Sequence, residues 1–247
     1  MKILAIDSSG LVASVAIVED DILVAEYNIQ HKITHSQTLL PMLDHIREKI
    51  ELDLATIDAI AIAKGPGSFT GLRIGSATVK GLGLVLDVPV IEIPTVDGIA
   101  YNMYGSNRLI CPIMDARRSQ VYTGLYSFEK CDKQADDMDG GSVGYQMKVE
   151  KEQYIAIIDE LVDEINAMGR EVVFLGDGVP VYADRIRDRI CVDYEFAPPM
   201  MNRQRAAVLA TMARAYLLAG KTVSADEHAP DYLRLSQAER ERLEKEQ

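Results

Sequence analysis

The chain has 247 residues, with 26 Lys and Arg against 38 Asp and Glu, giving a formal net charge of −12. A protein that grips nucleic acid by itself shows a basic face, so this balance argues against autonomous binding of tRNA or DNA. Hydrophobic residues make up 48 % of the chain, enough for two lobes with cores of their own. No apolar run reaches the roughly 18 residues that span a membrane. Met1 to Ile6 runs straight into Asp7, which reads as a first strand rather than a signal peptide. Cys111, Cys131 and Cys191 are odd in number and far apart, without a CxxC pair. They imply a reduced cytoplasmic chain, and two of them sit in apolar runs where a buried structural thiol is expected.

In chain order, residues 2–6 (KILAI) and 11–18 (LVASVAIV) read as strands joined by the turn Asp7-Ser8-Ser9-Gly10. A third strand over 22–28 follows the Glu19-Asp20-Asp21 turn. Residues 34–50 read as a helix. Thr34 and Gln37 have capping-box spacing, Leu39, Leu43, Ile46 and Ile50 line one face, and Pro41 predicts a kink. Strand 57–63 leads into KGPGSFTGLRIGSATVKGLG at 64–83, a Gly-rich turn opening a helix over 70–86, and strand 88–93 follows. The pattern is an α/β lobe with mixed strands.

The second half starts the same way. Strand 109–114 ends at Asp115, a polar turn Asp115-Ala116-Arg117-Arg118 follows, and 120–126 returns. Asp115 follows Asp7 by 108 positions, which suggests a duplicated fold. Residues 129–142 read as a polar loop that includes an acidic stretch at 132–139. Residues 151–168 read as an amphipathic helix on Tyr154, Ile157, Ile158, Leu161, Val162 and Ile165. A strand at 171–175 precedes the turn Gly176-Asp177-Gly178, an Ala-rich helix covers 205–219, and a charged tail fills 236–247.

A Gly-rich turn at a helix start gathers free N–H groups, the way proteins hold phosphate. Asp7 and Asp115 suit either phosphoryl chemistry or hairpin closure. His31 and His35 are four apart but straddle the helix start, so a shared metal is not expected. Ser68 and Thr70 are expected to cap a helix rather than act as nucleophiles, because none of the four histidines lies in a recognisable base motif. Gly71, Gly75, Gly81 and Gly83 each cost about 1 kcal/mol in a helix interior relative to Ala. They imply that another backbone comes close, either the chain's own or a partner's.

ILAIDSS at 3–9, THSQTLLPMLD at 34–44, GPGSFTGLRIG at 65–75, MDARRSQVY at 114–122, GDG at 176–178 and PDYLR at 230–234 together resemble the bacterial tRNA threonylcarbamoyladenosine biosynthesis protein TsaB (YeaZ) family. The match runs in order along nearly the whole chain. The resemblance implies an actin/hexokinase-like (ASKHA) fold of two ribonuclease-H-like lobes with mixed sheets. It divides the chain into a first lobe at 1–105, a second at 106–204, and the helix 205–219 packing back near the first.

The resemblance also implies a non-catalytic scaffold and activator of a TsaD-type catalytic paralogue, working with a TsaE-type ATPase and meeting tRNA only through the complex. The paralogue's paired metal-binding histidines have no counterpart here, where the segment reads Ile93-Pro94-Thr95-Val96-Asp97-Gly98-Ile99. No metal and no cofactor of its own are therefore expected. The implied partner surface is the helix pair 34–50 and 70–86, with Leu39, Leu43, Ile46, Gly71, Leu72, Gly75, Val79 and Leu82. A vestigial nucleotide pocket would involve Asp7, Ser8, Ser9, Gly65, Gly67 and Asp115, with adenine nucleotide at the partner interface. The rival expectations are an ATP-dependent small-molecule kinase with Asp7 as base, a metalloprotease, and a homodimeric module using the same helices.

Overall fold

The computed structural model describes residues 1–31, 34–132 and 143–233, with the side chains of residues 132 and 143 not described. The 236–247 tail, nearly all of the acidic stretch at 132–139 and Arg234 of the PDYLR motif lie outside these residues. The chain divides into two compact units. The first is 1–98 together with 204–247, and the second is 99–203.

The first unit is built on a mixed sheet of β1 (Lys2–Asp7), β2 (Ala13–Glu19), β3 (Ile22–Ile29), β4 (Ala59–Gly65) and β5 (Val90–Pro94). The strand order is β3-β2-β1-β4-β5. The β1–β2 and β2–β3 pairs are antiparallel, while β1–β4 and β4–β5 are parallel. The parallel pairs need crossovers, and α1 (His35–Lys49) and α2 (Phe69–Leu86) provide helices for them. Leu4, Ile6, Val15, Ile17, Ile60 and Ile62 point from the sheet into one core with α1 and α2. Of the expected capping box, Thr34 Oγ1 donates to Gln37 Oε1 at 3.1 Å and makes no cap bond to a helix amide. Helix α3 (Thr95–Tyr101) follows β5 and buries Val96, Ile99 and Ala100.

The second unit repeats the plan. Strands β6 (Leu109–Asp115), β7 (Gln120–Asp132), β8 (Val143–Ile157), β9 (Val172–Leu175) and β10 (Tyr194–Phe196) lie in the order β10-β9-β6-β7-β8. Again the first three pair antiparallel and the last two add in parallel. Helices α4 (Ile158–Met168) and α5 (Val179–Arg189) bury Leu161, Val162, Ile165, Tyr182 and Ile186 against this sheet.

Three expectations need correction here. The helix expected from residue 151 begins at Ile158, because Lys151 to Ile157 complete β8 by pairing with β7, with Thr123 opposite Tyr154 and Gln120 opposite Ile157. Residues 129–132, expected in a loop, extend β7, with Glu129 opposite Gln146. Helix α5 was not expected, although Pro180 in its first turn and apolar Val179, Tyr182 and Ile186 mark it. Cys111 is buried, which pushes its thiol up to about 12, while Cys191 is exposed despite its apolar neighbours.

Helix α6 (Ala206–Leu218) packs on β1 and β2 of the first unit. Its small residues Ala206, Ala207, Ala210 and Ala213 are buried there. The segment that follows returns to β5, where Val223 forms a bridge with Val90. Among the described residues, no helix is long and apolar enough to cross a membrane.

Candidate functional site

At the end of β1, Asp7 is 2 % exposed. Its Oδ1 accepts the Ser9 amide at 2.9 Å and the Ser9 hydroxyl at 2.6 Å. Burial pushes the Asp7 carboxyl up to about 6, against the opposing pull of the Ser9 bonds and of His35. His35, at the start of α1, sits with Nε2 2.9 Å from the Gly10 carbonyl oxygen, so that nitrogen carries the donating proton. The imidazole therefore clamps the β1–β2 turn. Among the described residues, no three His, Cys, Asp or Glu side chains gather to hold a metal.

Of the glycines in the 64–83 segment, Gly65, Gly67 and Gly71 meet the chain's own backbone, Gly75 and Gly83 meet side-chain atoms of Ser8 and Ala225, and Gly81 meets nothing among the described residues. A Cβ on Gly67 would overlap the Ser9 carbonyl oxygen, one on Gly71 the Ser8 carbonyl oxygen, and one on Gly75 the Ser8 hydroxyl. The Ser68 amide donates to Ser9 O at 2.7 Å, and Ser8 Oγ donates to Gly71 O at 2.9 Å. Ser68 caps α2, its hydroxyl accepting the Gly71 amide at 3.3 Å. Gly65 has φ +126°, and a side chain there would strike the Asp231 carbonyl oxygen. The structure thus gathers Asp7, Ser8, Ser9, Gly65 and Gly67. The Gly-rich turn packs against the carbonyls of Ser8 and Ser9, the second of which takes the Ser68 amide.

The expected partner residues are also reassigned. Leu39, Leu43, Ile46, Leu72 and Val79 are all buried in the core of the first unit, and Leu82 packs against that core. Gly71 and Gly75 are spent on Ser8. These side chains hold α1 and α2, which pack against each other, onto their own sheet. What α1 and α2 present outward is different: Leu40 is 53 % exposed, Leu84 58 % and Val85 84 %. Gly81 faces open space.

Asp115 belongs to the second unit, at the end of β6. Its Oδ1 accepts the Tyr182 hydroxyl and the Arg117 amide, each at 2.9 Å, and its Oδ2 lies 3.2 Å from Arg117 Nη1. The Asp115 amide donates to Asp177 Oδ1 at 3.2 Å. Burial raises the Asp177 carboxyl above its usual range, against the opposing pull of its bond from the Asp115 amide and of Arg203. The Tyr182 phenol is pushed up to about 12 by burial and by its bond to Asp115. Gly178 donates to the Ile113 carbonyl at 3.0 Å, and the Gly176 amide donates to Asn202 Oδ1. Tyr182 and Asn202 escaped the sequence reading because they arrive from distant elements, α5 and the segment after β10.

The turn from β6 to β7 is unusual in its backbone. Arg117, Arg118 and Ser119 have φ of 66°, 57° and 59°. Each non-glycine residue in this left-handed region costs about 1–2 kcal/mol. The turn is held by Ala116 N to Gln120 O at 2.9 Å, Gln120 N to Arg117 O at 3.1 Å, Ile158 N to Ser119 O at 3.0 Å and Arg185 Nη1 to Ser119 Oγ at 2.9 Å.

Two units with the same strand order, each with a first strand ending in an aspartate at a tight turn, define an actin/hexokinase-like chain of two ribonuclease-H-like lobes. Comparison with known proteins narrows this. A family model described as TsaD, tRNA N6-adenosine threonylcarbamoyltransferase, matches residues 28–242. The tRNA threonylcarbamoyladenosine biosynthesis protein TsaB of Bacillus subtilis is 31 % identical over 246 residues, covering 99 % of each chain. That of Escherichia coli is 29 % identical over 239 residues, covering 95 % of each. A Pseudomonas aeruginosa structure, described as an uncharacterized protein with similarity to peptidase YEAZ, superposes with a TM-score of 0.76 at 25 % identity, covering 94 % of this chain and 99 % of that one. The chain belongs to the TsaB (YeaZ) family.

Proposed function

We propose that this chain serves tRNA threonylcarbamoyladenosine synthesis as a non-catalytic scaffold that binds and activates a TsaD-type catalytic subunit. The observation that carries the reading is the packing of the Gly-rich turn against the β1–β2 turn. Where a phosphate-handling member of such a fold needs open amides, the Ser8 and Ser9 carbonyls stand against Gly71 and Gly67, and Ser68 N is already bonded. Asp7 has its Oδ1 occupied by two Ser9 donors and has almost no exposure, which does not suit a general base acting on a substrate. Thr95 to Tyr101 form α3 without a histidine, so the segment offers no imidazole pair to a metal.

The partner surface in this reading is the outward side of α1 and α2, around Leu40, Leu84 and Val85. A homodimer in isolation would use the same surface. A TsaE-type ATPase, and adenine nucleotide at the interface with the catalytic subunit, complete the proposed assembly. Reconstitution tests it. Threonylcarbamoylated adenosine is expected to form on tRNA with all subunits present and to fail when this chain alone is omitted. Product formed at an undiminished rate without it would refute the reading. Metal-dependent ATP hydrolysis by the isolated chain, lost in Asp7→Ala, would instead support the kinase.

A further inference from the structure

We propose that the left-handed turn carrying Arg117 and Arg118 binds a phosphodiester of RNA. The starting point is a mismatch between backbone and residue type. Three successive positions hold a conformation that glycine adopts freely and other residues resist. Glycine would satisfy the turn, yet two of the three positions carry arginine, so the guanidinium groups are kept at a conformational cost. The turn is then a rigid mount. Its conformation is over-determined by hydrogen bonds to Gln120, Ile158 and Arg185, and the two arginines are held out from it.

The mount offers what a phosphate needs. Arg117 is 85 % exposed as a side chain and rests its Nη1 3.2 Å from Asp115 Oδ2, and Arg118 is also exposed. Among the described residues Arg118 has no ion-pair partner, whereas Arg185, Arg187 and Arg189 on the neighbouring α5 are paired to Asp159, Asp184 and Asp163. The amides of Ala116, Arg117 and Gln120 are bonded, while among the described residues those of Arg118 and Ser119 donate to nothing. Two adjacent free amides beside the unpaired Arg118 guanidinium, with the exposed Arg117 next to it, suit a single oxyanion.

The site stands outward on a turn. A free nucleotide is normally taken into a concave pocket, whereas exposed arginines reading a backbone are the usual way proteins position on nucleic acid. This inference rests on the proposed role in tRNA modification, and it answers a difficulty in that role. A chain of net charge −12 repels RNA at long range, so a complex containing it gains from a local basic contact wherever RNA passes.

The test uses the reconstituted complex with unmodified tRNA transcript, and the variants Arg118→Glu and Arg117→Gly/Arg118→Gly. We expect tRNA affinity to fall about tenfold. The slope of log affinity against log salt should shrink by roughly 1–2 in the double variant, with KM for tRNA raised and kcat kept. The double-glycine variant should melt no lower than wild type, because glycine relaxes the turn, so lost RNA affinity in it is not misfolding. Unchanged RNA affinity and salt slope would overturn the proposal. So would loss of binding to the catalytic subunit with RNA affinity intact, which would make the turn a protein-docking surface. An effect confined to nucleotide affinity would also overturn it. Failure of the functional reading shows separately, as product formed without this chain.

Discussion

The carboxylate of Glu26, on β3, accepts the backbone amide of Ala207 at 3.1 Å, and so caps a helix that begins 180 residues later in the chain. Its other oxygen pairs with Arg205, and Ser14 Oγ accepts the Ala206 amide at 2.7 Å. Arg205, at the N-cap position, makes no side-chain cap of its own, so the start of α6 is satisfied by strands β2 and β3. A carboxylate there also meets the positive end of the helix dipole.

Removing that carboxylate should therefore loosen α6 from the sheet. Glu26→Ala is expected to lower stability by about 2–3 kcal/mol, since it removes a cap and leaves Arg205 without its anion. Glu26→Gln keeps an acceptor and should lose less. Urea unfolding of the two variants decides this, and equal losses would mean that the carboxylate charge alone carries the cap and a neutral acceptor contributes nothing.

Asp7 should make stability fall as pH rises. Its folded value of about 6 lies above the ordinary carboxyl value of 3.8. The protonated form is therefore favoured by the fold. The contribution is full below the unfolded value and is lost as pH climbs through about 6, a total of about 3 kcal/mol. Asp7→Asn keeps an acceptor for Ser9 and does not ionise. The variant should gain on wild type between about pH 4 and pH 7 in denaturant midpoints. A constant difference across that range would contradict the burial argument.

Two glycines of one helix should respond oppositely to alanine. Gly81 faces open space, so Gly81→Ala should stabilise by about 0.5–1 kcal/mol through helix propensity alone. Gly71→Ala drives a methyl into the Ser8 carbonyl and should cost about 2 kcal/mol or more. Thermal melting of both variants checks the sign, and a stabilised Gly71→Ala would show that the β1–β2 turn yields easily.

For the docking surface, Leu43→Asp is a poor probe, since it buries a charge in the core of the first unit and should unfold it. Leu40→Asp and Val85→Asp alter exposed residues and should leave the melting temperature nearly unchanged. Each should weaken association with a TsaD-type subunit by at least tenfold, an effect of about 1.4 kcal/mol. Calorimetry that finds wild-type affinity in both would move the interface off these helices.

Much of the fold was legible in local pattern. Alternating and continuous apolar runs marked β1, β4, β6 and β9, and the recurrence of a strand ending in Asp7 and then in Asp115 announced the duplication that the two matching sheets display. Patterning was weaker where one stretch satisfies two periods. Tyr154 and Ile157 fit a helical face, yet they lie opposite Thr123 and Gln120 in a sheet, because the pairing offered by β7 outweighs local preference.

What the sequence by itself determined is the strand and helix order of most of the first unit, the family, and the fact that something approaches the glycines of α2 closely. Tertiary structure alone decided what that something is. Periodicity states that Leu39, Leu43 and Val79 share an apolar face, but it is silent on whether the face meets the chain's own sheet or a partner, and here it meets the sheet. Likewise the Gly-rich turn that reads as a phosphate cradle packs against the carbonyls of Ser8 and Ser9, and the arginines of the β6–β7 turn stand on a left-handed backbone. Both depend on contacts between residues far apart in the chain, which no local spacing encodes.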